Sequence, residues 1–136
     1  MSMFEINNEV PEFKIPAAGK YTVRFTNISL GQSAKGTPMI KVELTIPAGE
    51  ELAAQGITMP CKVFDNVLDH PAEGCQRKKN NFLRATDATS PESLSALVGK
   101  QIDVKTKVEH DEQYGDRLVV TQYIKDTLKD VVDVPF

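Results

Sequence analysis

Lys41 in MIKVELTI and Lys62 and Phe64 in CKVFDNV stand on the parity opposite to the apolar residues of their segments. Ile40, Val42, Leu44 and Ile46 claim one side of the first stretch, and Cys61 and Val63 one side of the second. Strands at both places therefore turn the two lysines and Phe64 outward, with Phe64 beside Lys62 and across from Lys41. Cations next to an aromatic ring are what a single-stranded nucleic acid asks of a surface, because cations track phosphates and any base can stack on a ring. Arg24 on an earlier strand, Lys105 and Lys107 on a later one, Lys35 in the first hairpin loop and Tyr114 in the last extend the set.

The densest basic run is RKKNNFLR, Arg77 to Arg84. On a helix Arg77, Asn81 and Arg84 share one face with Lys78 beside it, while Phe82 and Leu83 lean toward the body. Such a face suits a phosphate backbone. The chain ends in KDVVDVPF, where Asp130 and Asp133 interrupt the valines and Pro135 has no N–H for a ladder. A solvated acidic tail over 126–136 that offers Phe136 to a partner is expected rather than a buried last strand.

Motifs for catalysis are missing from the sequence. His70, His110, Cys61 and Cys75 have no CxxC or HxxxH spacing for a metal. GQSAKGTP has its glycines and lysine in the wrong order for a phosphate loop, and no GxSxG occurs. Neither enzymatic activity nor a cofactor is expected.

KYTVRFTNISL (Lys20 to Leu30) is a strand whose apolar parity shifts after Thr26, the mark of a bulge. GQSAKGTP supplies a turn, Met39 to Ile46 a second strand with Lys41, Glu43 and Thr45 outward, and Ile57 to Val67 a third in which Pro60 marks an edge or bulge. PAGEELAAQG between them is a loop with at most a helical turn. Ala72 to Ala85 has helical spacing, and Ser90, Pro91 and Gly99 provide the cap, first turn and stop of a short second helix. Gln101 to His110 and Arg117 to Lys125 alternate and pair across DEQYGD. The fold expected is mainly β: a five-stranded OB-fold barrel over 1–125 with a helical insert between strands 3 and 4, followed by the flexible acidic C-terminal tail.

Charge is partitioned along the 136 residues. Residues 1–13 sum to −3 and residues 108–136, with seven acids and three bases, to −4; the body from 14 to 107, thirteen bases against nine acids, is +4. A basic body between acidic ends can bind a polyanion although the chain as a whole is −3. No apolar run approaches the roughly 18 residues of a membrane span, and MSMFEINNEV has neither the basic nor the apolar region of a secretion signal, so none is expected. A cytoplasmic protein with reduced thiols is expected.

PAAGKYTVRFTNISLGQSAKGTPMIKVELTI resembles the N-terminal half of small phage-encoded single-stranded-DNA-binding proteins, in which a glycine-led strand precedes a KGxPM-type turn and a second strand. NNFLRAT, LVGKQIDVKTKVE and YGDRLVVTQYI resemble later segments of that family. The ending is similar to the acidic tail of bacterial single-stranded-DNA-binding proteins, with Val134, Pro135 and Phe136 matching its tip; it departs in its few, interrupted aspartates and in lacking a glycine-rich linker. The resemblance implies an accessory protein of phage DNA replication or recombination in the host cytoplasm. It would coat single-stranded DNA and recruit replication or recombination proteins by docking Phe136 and its carboxylate in a basic-rimmed apolar pocket, with Asp130 and Asp133 steering. Self-association is compatible with this reading. Two other functions fit the same scaffold: a protein-interaction or virion component, and a binder of RNA or oligosaccharide.

Overall fold

The computed structural model describes residues 3–4, 15–113 and 115–130. Strand β1 (Lys20–Gln32) buries Tyr21, Val23 and Phe25, and its register shifts at a bulge between Phe25 and Asn27, where the sequence changes parity. Strand β2 (Pro38–Ile46) follows a tight turn closed by Gly36 N–H to Ser33 O at 2.8 Å. A single turn of helix, α1 (Glu50–Ala53), precedes β3 (Cys61–Leu68). The third strand starts at Cys61 and not at Ile57, because Pro60 has no N–H to give a ladder. Ile57 is buried nonetheless.

Helix α2 (Glu73–Thr86) and the short α3 (Pro91–Ser95) lie between β3 and β4. Ser90 caps α3 as its sequence predicts, its Oγ accepting from Ser93 N–H at 3.2 Å, with Pro91 at the first helical position. Strands β4 (Lys100–Asp111) and β5 (Gly115–Tyr123) form a hairpin.

The protein is mainly β: one antiparallel sheet of six strands in the order β3-β2-β1-β4-β5, with the two-residue β6 (Lys129–Asp130) added to β4. The edge strands β3 and β5 approach each other without pairing, so the sheet stays open, and α2 packs against both edges. Val23, Phe25, Leu44, Val67, Ile102 and Val104 form the centre of the core, and Phe82 of α2 meets the ring of Tyr123 edge-on at 5.1 Å.

The sixth strand corrects the expectation of a free tail from residue 126. Thr127 Oγ1 accepts from Asp103 N–H at 3.0 Å, Leu128 packs on the core, and Lys129 and Asp130 pair with Gln101 and Lys100. The physical reason lies in β4: β5 pairs with it only from Val104 onward, which leaves the edge at Lys100 and Gln101 open to another strand. Among the described residues no helix is long and apolar enough to cross a membrane.

Candidate nucleic-acid interface

Register sets three rows of side chains across the outer face of β1, β2 and β3. They are Arg24–Thr45–Lys62, Asn27–Glu43–Phe64 and Ser29–Lys41–Asn66. Directly opposed residues on neighbouring strands hold their Cβ atoms about 4.5–5.5 Å apart, so the rows make one continuous patch. Phe64 in its middle is 65% exposed, which leaves the ring outside the core. Lys41 and Lys62, both exposed, flank it from the rows on either side. The residue opposite Phe64 is Glu43 and not Lys41, which the register sets against Asn66.

Glu43 and Thr45 also depart from the simple alternation of β2. The Thr26 hydroxyl, at the β1 bulge, donates to Glu43 Oε2 at 2.9 Å and lies 3.1 Å from the Thr45 hydroxyl, so Thr45 is buried and Glu43 is drawn down onto the sheet. Lys62 Nζ is 3.3 Å from Glu43 Oε1. The patch thus carries a carboxylate that orients one of its own cations.

Three clefts meet at Phe64. A shallow one of about 240 Å³ lies on the patch itself, between Asn27, Ser29, Lys41, Glu43 and Asn66. Another, about 520 Å³, separates the first residues of β3 from those of β5 and is walled by Ile15, Pro16, Pro60, Val63 and Leu118. The largest, about 720 Å³, opens between α2 and the β4–β5 hairpin and includes Arg77, Lys78, Asn81, Lys107, Glu109 and Arg117.

At the floor of that largest cleft β3 and β5 are joined by side chains instead of a ladder. Asp65 is 5% exposed; one oxygen accepts from the Tyr123 hydroxyl at 2.6 Å and the other from Lys78 Nζ. Asn81 takes Tyr123 N–H at 2.8 Å and donates to its carbonyl at 2.9 Å, standing in for a neighbouring strand. Burial, then the charge of Asp65 and its hydrogen bond, push the Tyr123 phenol well above its usual range. Burial also raises the Cys61 thiol, which disfavours the thiolate a nucleophile needs.

These contacts redistribute the roles read from the sequence. Arg24, Lys41, Lys62 and Phe64 come together on the sheet face, and Arg24 is half-buried. Lys35 is exposed in the β1–β2 turn. Arg77 and Lys107 line the large cleft, Arg77 paired with Glu73 one turn earlier. Lys78 lines it too, but its ammonium is committed to Asp65, and Asn81 faces β5 instead of sharing an outward face with Arg77 and Arg84. Arg84 and Lys105 are exposed but line none of the three clefts; Lys105 sits opposite Lys20 on β1. Asp130 is strand-paired, 3.5 Å from Lys100. Tyr114, Asp133, Pro135 and Phe136 lie outside the described residues.

Arg117 and Asn66 are the side chains that reading the sequence passed over. Both were accessible to it, since Arg117 opens RLVVTQY on the parity of Val119, and Asn66 follows Lys62 and Phe64 at steps of two. Among the described residues no group of three or more His, Cys, Asp or Glu could hold a metal ion. No protein-family model matches the chain, and no curated protein matches it.

Proposed function

We propose that this protein binds single-stranded DNA without sequence preference on the outer face of β1, β2 and β3, and that it acts by binding and not by catalysis. The observation that carries the reading is Phe64: an aromatic ring exposed at the centre of a sheet face, between Lys41 and Lys62, at the junction of three clefts. An unpaired base stacks on the ring while the lysines meet the flanking phosphates, an arrangement that a paired base inside a duplex is unable to adopt. The strand order 3-2-1-4-5 with a helix between β3 and β4 supports an OB-type barrel, whose second and third strands bind oligonucleotides. Together with the sequence resemblance, this supports a role as an accessory factor of phage DNA replication or recombination in the host cytoplasm. Its C-terminal residues Asp133, Pro135 and Phe136 recruit protein partners.

Fluorescence anisotropy with labelled oligo-dT, oligo-rU and a duplex of equal length tests the reading. Oligo-dT binds tightly and the duplex weakly, with log K falling against log salt at about −0.7 per phosphate neutralised. Equal binding of duplex and single strand, or an affinity that ignores salt, sinks it. Tighter binding of oligo-rU reassigns the face to RNA.

A further inference from the structure

The large cleft between α2 and the β4–β5 hairpin holds cations that the three-strand face does not use. Arg77 on α2, Lys107 on β4 and Arg117 on β5 surround it, and Phe64 stands at its mouth. Glu109 lies between two of them. Its Oε1 accepts from Arg117 Nη2 at 3.3 Å, and its Oε2 is 3.7 Å from Lys107 Nζ. A carboxylate shared by a guanidinium and an ammonium on neighbouring strands has the charge and the acceptor positions of a bound phosphate.

These pairs are built to exchange. The side chains of Glu109, Lys107 and Arg117 are 45%, 59% and 65% exposed, and ion pairs in contact with water are weak. Elsewhere the wall offers amides and a hydroxyl from Asn66, Gln122 and Thr121, with Phe64 the one aromatic ring among the described residues. That lining suits sugar and phosphate better than it suits bases. Its volume, about 720 Å³, admits a stretch of chain and not merely a single ion.

We infer that this cleft is a phosphodiester-binding arm in which Glu109 holds the place of a phosphate. A strand stacked on Phe64 continues between α2 and the hairpin and takes Arg117 and Lys107 from Glu109. The inference rests on the single-strand binding proposed above and adds to it a path, two phosphate ligands and an internal competitor.

The test titrates oligo-dT of increasing length, from about 4 to 16 nucleotides, the range of site sizes for one domain of this kind. The proteins compared are the full chain, the double variant Arg117→Gln/Lys107→Gln, and Glu109→Gln, each first checked for an unchanged melting temperature. Short oligonucleotides are held by the Phe64 face, and long ones reach the arm. For the longest strand the double variant loses about tenfold in affinity and its salt slope shrinks by about 1.4, two phosphates at roughly 0.7 each; for the shortest the loss is small. Glu109→Gln tightens the longest strand more than the shortest. Losses equal at every length indicate a general field effect, and losses absent at every length indicate an unused cleft; either overturns the arm while the Phe64 face stands. Failure of the unaltered chain to bind oligo-dT of any length overturns the face itself, and the arm falls with it.

Discussion

Phe64 and Tyr123 show how two aromatic residues in one sheet take opposite tasks. Phe64 gives up burial, so Phe64→Ala leaves the melting temperature in place and weakens oligo-dT binding by about 1–3 kcal/mol, the worth of one base stack. Parallel thermal melts and anisotropy titrations check both halves of that expectation. Tyr123 is buried with its hydroxyl on Asp65, and burial, then the Asp65 charge and hydrogen bond, hold its phenol well above the usual tyrosine value of about 10. A raised folded pKa means that the unfolded chain releases this proton first. The stabilisation is therefore complete below about pH 10 and is lost as pH rises from there toward the folded value, by up to about 1.4 kcal/mol per pH unit. Urea unfolding of the native protein and of Tyr123→Phe from pH 8 to 11 should show the variant with the flatter alkaline decline. Identical declines would mean that Tyr123 ionises alike in both states.

Among the elements, the short β6 ties residues 129–130 of the C-terminal segment to the sheet. Removing 131–136 leaves β6, Leu128 and Thr127 in place, so the melting temperature holds while capture of replication proteins is lost. Removing 127–136 takes away the packing of Leu128 and the hydrogen bond to Asp103, and lowers stability by about 1–3 kcal/mol. Melting curves of the two truncations separate these outcomes, and an equal loss from both would move the boundary past Asp130. The same region shows what a sequence reading can reach. Strands β1, β2, β4 and β5 were legible because one side of each is apolar and the other polar, and α3 because Ser90 and Pro91 signal a helix start. β6 was not legible: two residues have no period, and its partner site is a gap in β4 that exists only once β5 is docked. On the site, parity alone placed Lys41, Lys62 and Phe64 on one face. Helical spacing placed Lys78 and Asn81 on α2 but gave no sign of their partners, Asp65 and Tyr123, which the meeting of β3 and β5 brings to them from 13 and 42 residues away in the chain.

At the scale of the whole molecule, β1 is the strand on which two sets of local pairings meet. Its second half pairs with β2 across a tight turn, and β2 with β3 across the α1 connection, both near in sequence; its first half pairs with β4, where Thr22 and Asp103 stand 81 residues apart. Such an arrangement carries a kinetic consequence. The β1–β2–β3 meander and the β4–β5 hairpin can form early, whereas the entropy of bringing Val23 to Ile102 must be spent before any β1–β4 contact returns it. Val67→Ala, inside the meander, is therefore expected chiefly to slow refolding, and Ile102→Val, at the long-range seam, chiefly to speed unfolding. Stopped-flow chevrons of the two variants read this directly. Ile102→Val acting on the refolding limb would place the seam in the transition state, and the two hairpins would then have to find each other before either is complete.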